Sequence, residues 1–264
     1  MRVTAGDVEI NVEVRGENCE GEPVVFLHGV GGDATNWTPQ LEALSGLYQM
    51  AAIDTRGHGA SEVTGEDLTL EDYAEDVRRT LDVLEIDRAH VVGLSMGGMI
   101  AQALVLHAPE RVASLVLADT SARADADTAG NLSAAGEAAL GYGMAAVSDQ
   151  FLPACFCPAA IEGNRDYVLR FREGFSSRDP HAFYTALQAI TGLDFLDRLG
   201  EVAVPTLVIV GSGDMLLPAQ HSEVITERIP GARLVVLDGA GHLSNLDNQD
   251  EFTQALTDFF KETA

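Results

Sequence analysis

His90-Val91-Val92-Gly93-Leu94-Ser95-Met96-Gly97-Gly98 decides the fold. Residues 90–94 read as a strand that runs directly into Ser95. Met96 to His107 is apolar nearly all round, as a buried helix should be, and Pro109 ends it. Between strand and helix lies G-x-S-x-G. The pattern has a steric cause: the serine sits on a strained strand-to-helix turn that tolerates little bulk two residues away on either side. Such a turn lifts the hydroxyl above the C-terminal end of a sheet, near the positive end of the following helix. The bland alternative is a glycine-rich helix start with an ordinary capping serine. The strand–turn–helix context favours the nucleophile.

Working outward, the same alternation of strand and helix recurs. Val8 to Val14 alternates strictly and reads as an edge or half-exposed strand, and Gly16 to Pro23 as a turn-rich break. Val24-Val25-Phe26-Leu27 is a short continuous apolar run, expected of a strand buried on both faces. Spacing predicts a helix over 36–45, a strand over 48–53, and an amphipathic helix over 69–84 started by Thr69 and Asp72. Strands are predicted over 112–118, 205–210 and 233–237, and helices over 218–229 and 250–261. Alternating strands and helices imply βαβ units and a mainly parallel sheet. From Ser121 to about Leu199 the pattern breaks into helical pieces rich in Ala, Gly and aromatics. The expectation is a core over 1–120 and 200–264, interrupted by a helical lid over 121–199.

A serine hydroxyl needs a base to become a nucleophile. His242, in the glycine-rich stretch Gly239-Ala240-Gly241-His242 just after the last predicted strand, is the candidate. The other histidines are worse placed: His90 begins a strand, His107 ends a buried helix, His181 lies in the inserted segment and His221 in a surface helix. The imidazole in turn needs a carboxylate to hold its tautomer. Asp214 follows the strand ending at Val210, and the order Ser…Asp…His is the one expected for this arrangement. Asp119, after the preceding strand, is the rival acid; Asp238 lies too close in sequence to His242. The oxyanion formed by acyl transfer needs donors, expected from the backbone N–H of Met96 and of Val30. Gly29, Gly31 and Gly32 allow the backbone around Val30 to approach closely. Asp54-Thr55-Arg56-Gly57-His58-Gly59 is read as a structural loop fixed by Asp54 and Arg56 rather than a metal or phosphate site. Asp125 and Asp127 lack the spacing of a calcium loop and are read as solvated charges.

Composition narrows the partners. A chain of 264 residues, 46% hydrophobic, can bury one large core. No apolar run is long enough to span a membrane, and no charged start leads into an apolar stretch, so a cytoplasmic protein is expected. A net charge of −25 repels nucleic acid and anionic lipid. Lys261 is the only lysine. Two readings of that surface stay open: a coding bias towards arginine, or adaptation to high salt. Cys19, Cys155 and Cys157 fit neither a disulfide framework nor a zinc site. No metal or organic cofactor is implied, and no oligomeric state can be read.

Taken together, His28-Gly29, Asp54-Thr55-Arg56-Gly57-His58-Gly59, Gly93-Leu94-Ser95-Met96-Gly97-Gly98, Gly213-Asp214 and Gly241-His242 resemble the α/β-hydrolase superfamily over almost the full chain. With Asp119-Thr120-Ser121-Ala122-Arg123 added, the chain is most similar to the 3-oxoadipate enol-lactonase-like branch. The resemblance implies an eight-stranded-type, mainly parallel sheet and hydrolysis of a small carboxylic ester or lactone. It departs at one point: members of that branch often carry a lid tryptophan, whereas the only one here is Trp37. A serine at residue 95 excludes the dehalogenase and epoxide-hydrolase routes as those families usually run them, because both place an aspartate there. Carbon–carbon bond hydrolysis, cofactor-free perhydrolysis and non-turnover ligand reception remain as alternatives on the same three residues.

Overall fold

The computed structural model describes residues 1–16, 19, 21–65, 67–163 and 165–263. Eight strands form one sheet: β1 (Arg2–Ala5), β2 (Val8–Arg15), β3 (Val24–Leu27), β4 (Met50–Ile53), β5 (Ala89–Leu94), β6 (Val112–Ala118), β7 (Thr206–Gly211) and β8 (Arg233–Leu237). Their spatial order is β1-β2-β4-β3-β5-β6-β7-β8. β4 to β8 run parallel in this order, and the β1–β2 and β2–β4 pairs are antiparallel. β3, β4, β5 and β7 are buried along their whole length. That is why their sequences are continuous apolar runs rather than alternations.

Around the sheet lie α1 (Thr38–Leu44), α2 (Leu70–Val83) and α3 (Met96–His107). Between β6 and β7 come α4 (Ala126–Tyr142), α5 (Met144–Cys155), α6 (Pro158–Glu162), α7 (Asp166–Ser176) and α8 (Pro180–Thr191). α9 (Ala219–Arg228), α10 (Ser244–Asp247) and α11 (Gln249–Thr263) complete the chain. α2 begins as its sequence predicts: the Thr69 hydroxyl accepts from the Asp72 N–H and the Asp72 carboxylate accepts from the Thr69 N–H. α3 buries every residue from Met96 to Val105, so its lack of an amphipathic face reflects packing on all sides.

Five features differ from the sequence reading. β1 was not anticipated, since four residues are too few to display a period. Because β1 pairs outside it, β2 is not an edge strand, although its alternating burial is as expected. The helix expected over 36–45 divides into a 3₁₀ turn, Ala34–Trp37, and α1, with Pro39 in the first turn of α1. The strand expected from Tyr48 starts at Met50, and α10 is an unanticipated turn of helix. Part of the break expected at Gly16–Pro23, residues 17, 18 and 20, lies outside the described residues.

Between Ser121 and Leu199 the described residues form no strand beyond a single bridge, Arg123–Asp194. Their aromatics pack on one another: Phe151 stacks on Phe175 at 5.4 Å, and Phe183 meets Phe175 edge-on at 5.3 Å. Trp37 lies elsewhere, buried between Phe26 and Phe252 at 5.0 and 6.0 Å. No helix among the described residues is long and apolar enough to cross a membrane.

Candidate active site

The parallel strands deliver their loops to one end of the sheet, where ligand sites of open α/β sheets lie. Ser95 follows β5 with φ 54° and ψ −119°, a left-handed conformation that costs a non-glycine residue free energy. The flanking glycines make this turn possible. A Cβ on Gly93 would lie 2.2 Å from the Gly97 carbonyl oxygen, and one on Gly97 would lie 2.1 Å from that of Leu27. The elbow and the end of β3 thus touch backbone to backbone, as the G-x-S-x-G reading requires.

His242 and Asp214 come from loops after β8 and β7. His242 Nε2 lies 2.9 Å from Ser95 Oγ, and His242 Nδ1 lies 2.8 Å from Asp214 Oδ2. The second Asp214 oxygen accepts the N–H groups of Leu216 and Leu217, both at 2.9 Å, which fixes the carboxylate plane. All three side chains are buried. Burial alone would lower the His242 pKa. The Asp214 charge and hydrogen bond, with a smaller contribution from Asp119, outweigh it, and the pKa lies above the usual value.

Asp119, the rival acid, makes no hydrogen bond to His242. It accepts the Gly211 N–H at 2.9 Å and lies 2.5 Å from the Ser244 hydroxyl. Burial first, and the Asp214 charge second, push its pKa up to about 8. Asp238 is exposed and accepts from the Ser212 hydroxyl at 3.4 Å.

The glycine loop after β3 is held from below. His28 Nδ1–H donates to the Gly29 carbonyl at 2.8 Å, and His28 Nε2 accepts the Thr55 N–H at 3.0 Å. Both ring nitrogens are thereby committed to the neutral form, and burial also lowers the His28 pKa. Beside it, His58 Nδ1 lies 3.1 Å from the Arg56 carbonyl, and burial, aided by His28, lowers the His58 pKa to about 3. From above, Arg178 donates to the Gly31 carbonyl at 3.1 Å and pairs with Asp33. Neither the Val30 N–H nor the Met96 N–H has an acceptor among the described residues.

A narrow cavity of about 10 Å³ lies over Ser95, walled by Val30, Asn36, Phe151, Cys155, Phe171 and His242. Asn36 and Phe171 also line a wider open cleft bordered by Tyr167 and Arg170. The sequence singled out Val30 and His242 but not Asn36, Cys155 or the particular aromatics. Their positions depend on how α5 and α7 cross the sheet end, which no local pattern encodes. The remaining histidines stay apart from this site: His90 bonds Ser114 at 2.8 Å under β5, and His107 bonds its own helix.

The loop over residues 54–59 is tied down by polar contacts. Asp54 accepts the N–H groups of Ala34 and Ala60 at 2.7 and 2.8 Å, and Arg56 forms a buried two-pronged ion pair with Asp76 at 2.7 and 2.8 Å. Asp125 is exposed and caps α4 through the Thr128 N–H at 2.8 Å, and Asp127 is exposed in its first turn. No group of three or more His, Cys, Asp or Glu side chains among the described residues is arranged to hold a metal.

Comparison with known proteins agrees with this fold. The alpha/beta hydrolase family model matches residues 24–255. The 3-oxoadipate enol-lactonase 1 of Acinetobacter baylyi is 30% identical over 253 residues, covering 96% of this chain and 93% of the relative. The crystal structure of the enol-lactonase from Burkholderia xenovorans LB400 superposes with a TM-score of 0.93 at 30% identity, covering 99% of this chain and all of that one. A hydrolase from Pseudomonas aeruginosa PA01 superposes with a TM-score of 0.92 at 35% identity, covering 98% and 97% of the two chains. The chain therefore belongs to the alpha/beta hydrolase family, in its enol-lactonase-like branch.

Proposed function

We propose that the protein is a serine hydrolase that cleaves a small carboxylic ester or lactone through an acyl-enzyme on Ser95, with an enol-lactone as the leading substrate class. The observation that carries this reading is the continuous hydrogen-bonded chain from Ser95 through His242 to Asp214, at 2.9 and 2.8 Å, on a left-handed elbow. Ser95 Oγ attacks the carbonyl carbon while His242 Nε2 takes its proton. Asp214 holds the ring in the tautomer that leaves Nε2 free and stabilises the imidazolium once it forms. The N–H groups of Val30 and Met96 receive the oxyanion. The protonated His242 then passes its proton to the departing oxygen. In a lactone that oxygen stays tethered to the acyl group. Water, activated by the same imidazole, releases the acid and restores Ser95.

The helices between β6 and β7 serve as the lid in this reading. They supply Phe151, Cys155 and Phe171 as an apolar wall, and Arg178 ties them to the glycine loop. The space over Ser95 is narrow, about 10 Å³, so substrate entry requires these helices to move apart. The test is steady-state turnover of a panel of lactones, short and long p-nitrophenyl esters and carbon–carbon substrates, by wild type and Ser95→Ala. Steady hydrolysis of lactones or short esters that falls by at least about 10³-fold in Ser95→Ala is expected. Near-wild-type rates in the variant overturn the nucleophile. A single slow turnover with retained ligand overturns the enzyme.

A further inference from the structure

The residues just after β6 contact the loops that carry all three proposed catalytic side chains. The Ala118 carbonyl accepts the Ser95 N–H at 2.9 Å, and the Thr120 hydroxyl donates to the Ser95 carbonyl at 2.7 Å. Between them, Asp119 Oδ1 accepts the N–H of Gly211, at the root of the loop carrying Asp214. Asp119 Oδ2 lies 2.5 Å from the hydroxyl of Ser244, two residues beyond His242. Asp119 is fully buried, with a left-handed backbone at φ 47°. Among the described residues only Glu85, Ser95 and Asp119 are non-glycine residues with positive φ, so two of the three strained positions adjoin in this site.

Resting on the proposed triad, we infer that Asp119 is a positioning residue: it ties the acid-bearing and base-bearing loops to the end of β6 and so sets the His242–Asp214 geometry. The reasoning is steric and electrostatic together. Gly211 and Ser244 lie 92 and 125 residues from Asp119 in sequence, and one carboxyl group spans both. Its removal leaves a buried N–H and a buried hydroxyl without a partner, and a gap between two loops whose separation decides proton transfer. The charged and titratable groups that face it are Asp214, on the loop after β7, and His242, on the loop after β8. Burial first, and the Asp214 charge second, raise the Asp119 pKa, and its Oδ2 accepts from the Ser244 hydroxyl.

The experiment compares Asp119→Ala, Asp119→Asn and Ser244→Ala with wild type and Ser95→Ala on the best ester or lactone, over about pH 5–10. Asp119→Ala is expected to lower kcat by about 100-fold with KM within about twofold, the loss typical of small misplacements around a reacting pair. Asparagine can accept from Gly211 and donate to Ser244, so Asp119→Asn should recover kcat to within about tenfold of wild type by restoring the same two bonds. Because the Asp119 charge contributes to raising the His242 pKa, Asp119→Asn should move the kcat/KM midpoint to lower pH than in wild type. A merely structural residue would not move that profile. Should Asp119→Ala not fold, Ser244→Ala reads the base-loop tie alone, and its kcat should fall with KM unchanged. Superimposable wild-type and Asp119→Asn profiles overturn the inference, as does a kcat within twofold of wild type in folded Asp119→Ala or in Ser244→Ala. Because Ser95→Ala is run alongside, full activity there fails the triad instead, and the two failures are distinguishable.

Discussion

Acid should weaken this fold through one buried side chain, and His58→Asn isolates the effect. His58 is 2% exposed, beneath the glycine loop that carries Val30, with His28 at 5.1 Å between ring centroids. Burial and His28 hold its pKa at about 3 in the folded protein, against 6.5 ordinarily; Asp33 opposes this weakly and Arg178 adds to it. The sign follows from proton counts. Between about pH 6.5 and 3 the unfolded chain carries a proton at this position that the folded chain refuses, so stability falls as pH falls. Each pH unit costs about 1.4 kcal/mol, and two units, down to about pH 4.5, cost about 3 kcal/mol. That is a large part of a total stability usually of order 5–15 kcal/mol.

Comparison with the variant removes the confounding titration of 41 acidic residues. Asparagine can still donate to the Arg56 carbonyl that His58 Nδ1 faces at 3.1 Å, but it does not titrate. Urea unfolding of both proteins, followed by the fluorescence of Trp37 as the single buried tryptophan, gives the stability difference at each pH. Whatever the offset near pH 7, the advantage of wild type should shrink by about 3 kcal/mol by about pH 4.5. Parallel stability curves over that range would refute the reasoning, since they would mean that His58 is protonated in the folded state without penalty.

The remaining predictions concern the site, the elbow and the surface. kcat/KM should rise with unit slope as pH rises through a value above 6.5, because the net effect of Asp214 over burial raises the His242 pKa and only neutral imidazole accepts the Ser95 proton; a midpoint below 6.5 in the pH–rate profile contradicts it. Asp214→Asn should lower kcat by as much as about 10⁴-fold through the wrong histidine tautomer, and more than Asp119→Asn does, in the same steady-state assay; the reverse order would make Asp119 the acid. Gly97→Ala should destabilise by about 3 kcal/mol or more in urea unfolding, since its Cβ would sit 2.1 Å from the Leu27 carbonyl oxygen and 2.8 Å from that of His28. Thermal stability should increase from low salt to molar KCl as screening relieves self-repulsion among charges that sum to −25; a flat salt series would leave the coding bias as the explanation of the arginine-rich, lysine-poor composition.

What the sequence discloses about this protein tracks the range of the interactions responsible. Ser95 and its glycines were legible because the constraint is local: Gly93 and Gly97 contact each other across one turn, and the strand and helix on either side have their own periods. β3, β5, β6 and β8 were legible for the same reason. β1 was not, and neither was Asp76, whose place on the buried face of α2 makes sense only once Arg56 arrives from another loop to pair with it. The choice of Asp214 over Asp119 rested on chain order. Its physical basis is a difference of reach that no spacing reports: Asp214 ends 2.8 Å from His242 Nδ1, while Asp119 turns to Gly211 and Ser244.

That division also explains why the reaction can be argued more closely than its substrate. Ser95, Asp214 and His242 hang from the ends of three parallel strands of one sheet, β5, β7 and β8, where ladder register fixes where each loop begins. The cavity wall is built otherwise. Phe151 and Cys155 come from α5 and Phe171 from α7, helices held by aromatic packing and by a few polar ties, such as that of Arg178 to the glycine loop. Helix-on-helix packing admits small shifts in angle and translation that strand pairing does not. A substitution at Phe151 or Phe171 can therefore reshape the space over Ser95 without disturbing the hydrogen bonds at 2.9 and 2.8 Å beneath it. One fold can thus host different substrates through the helices packed on its sheet.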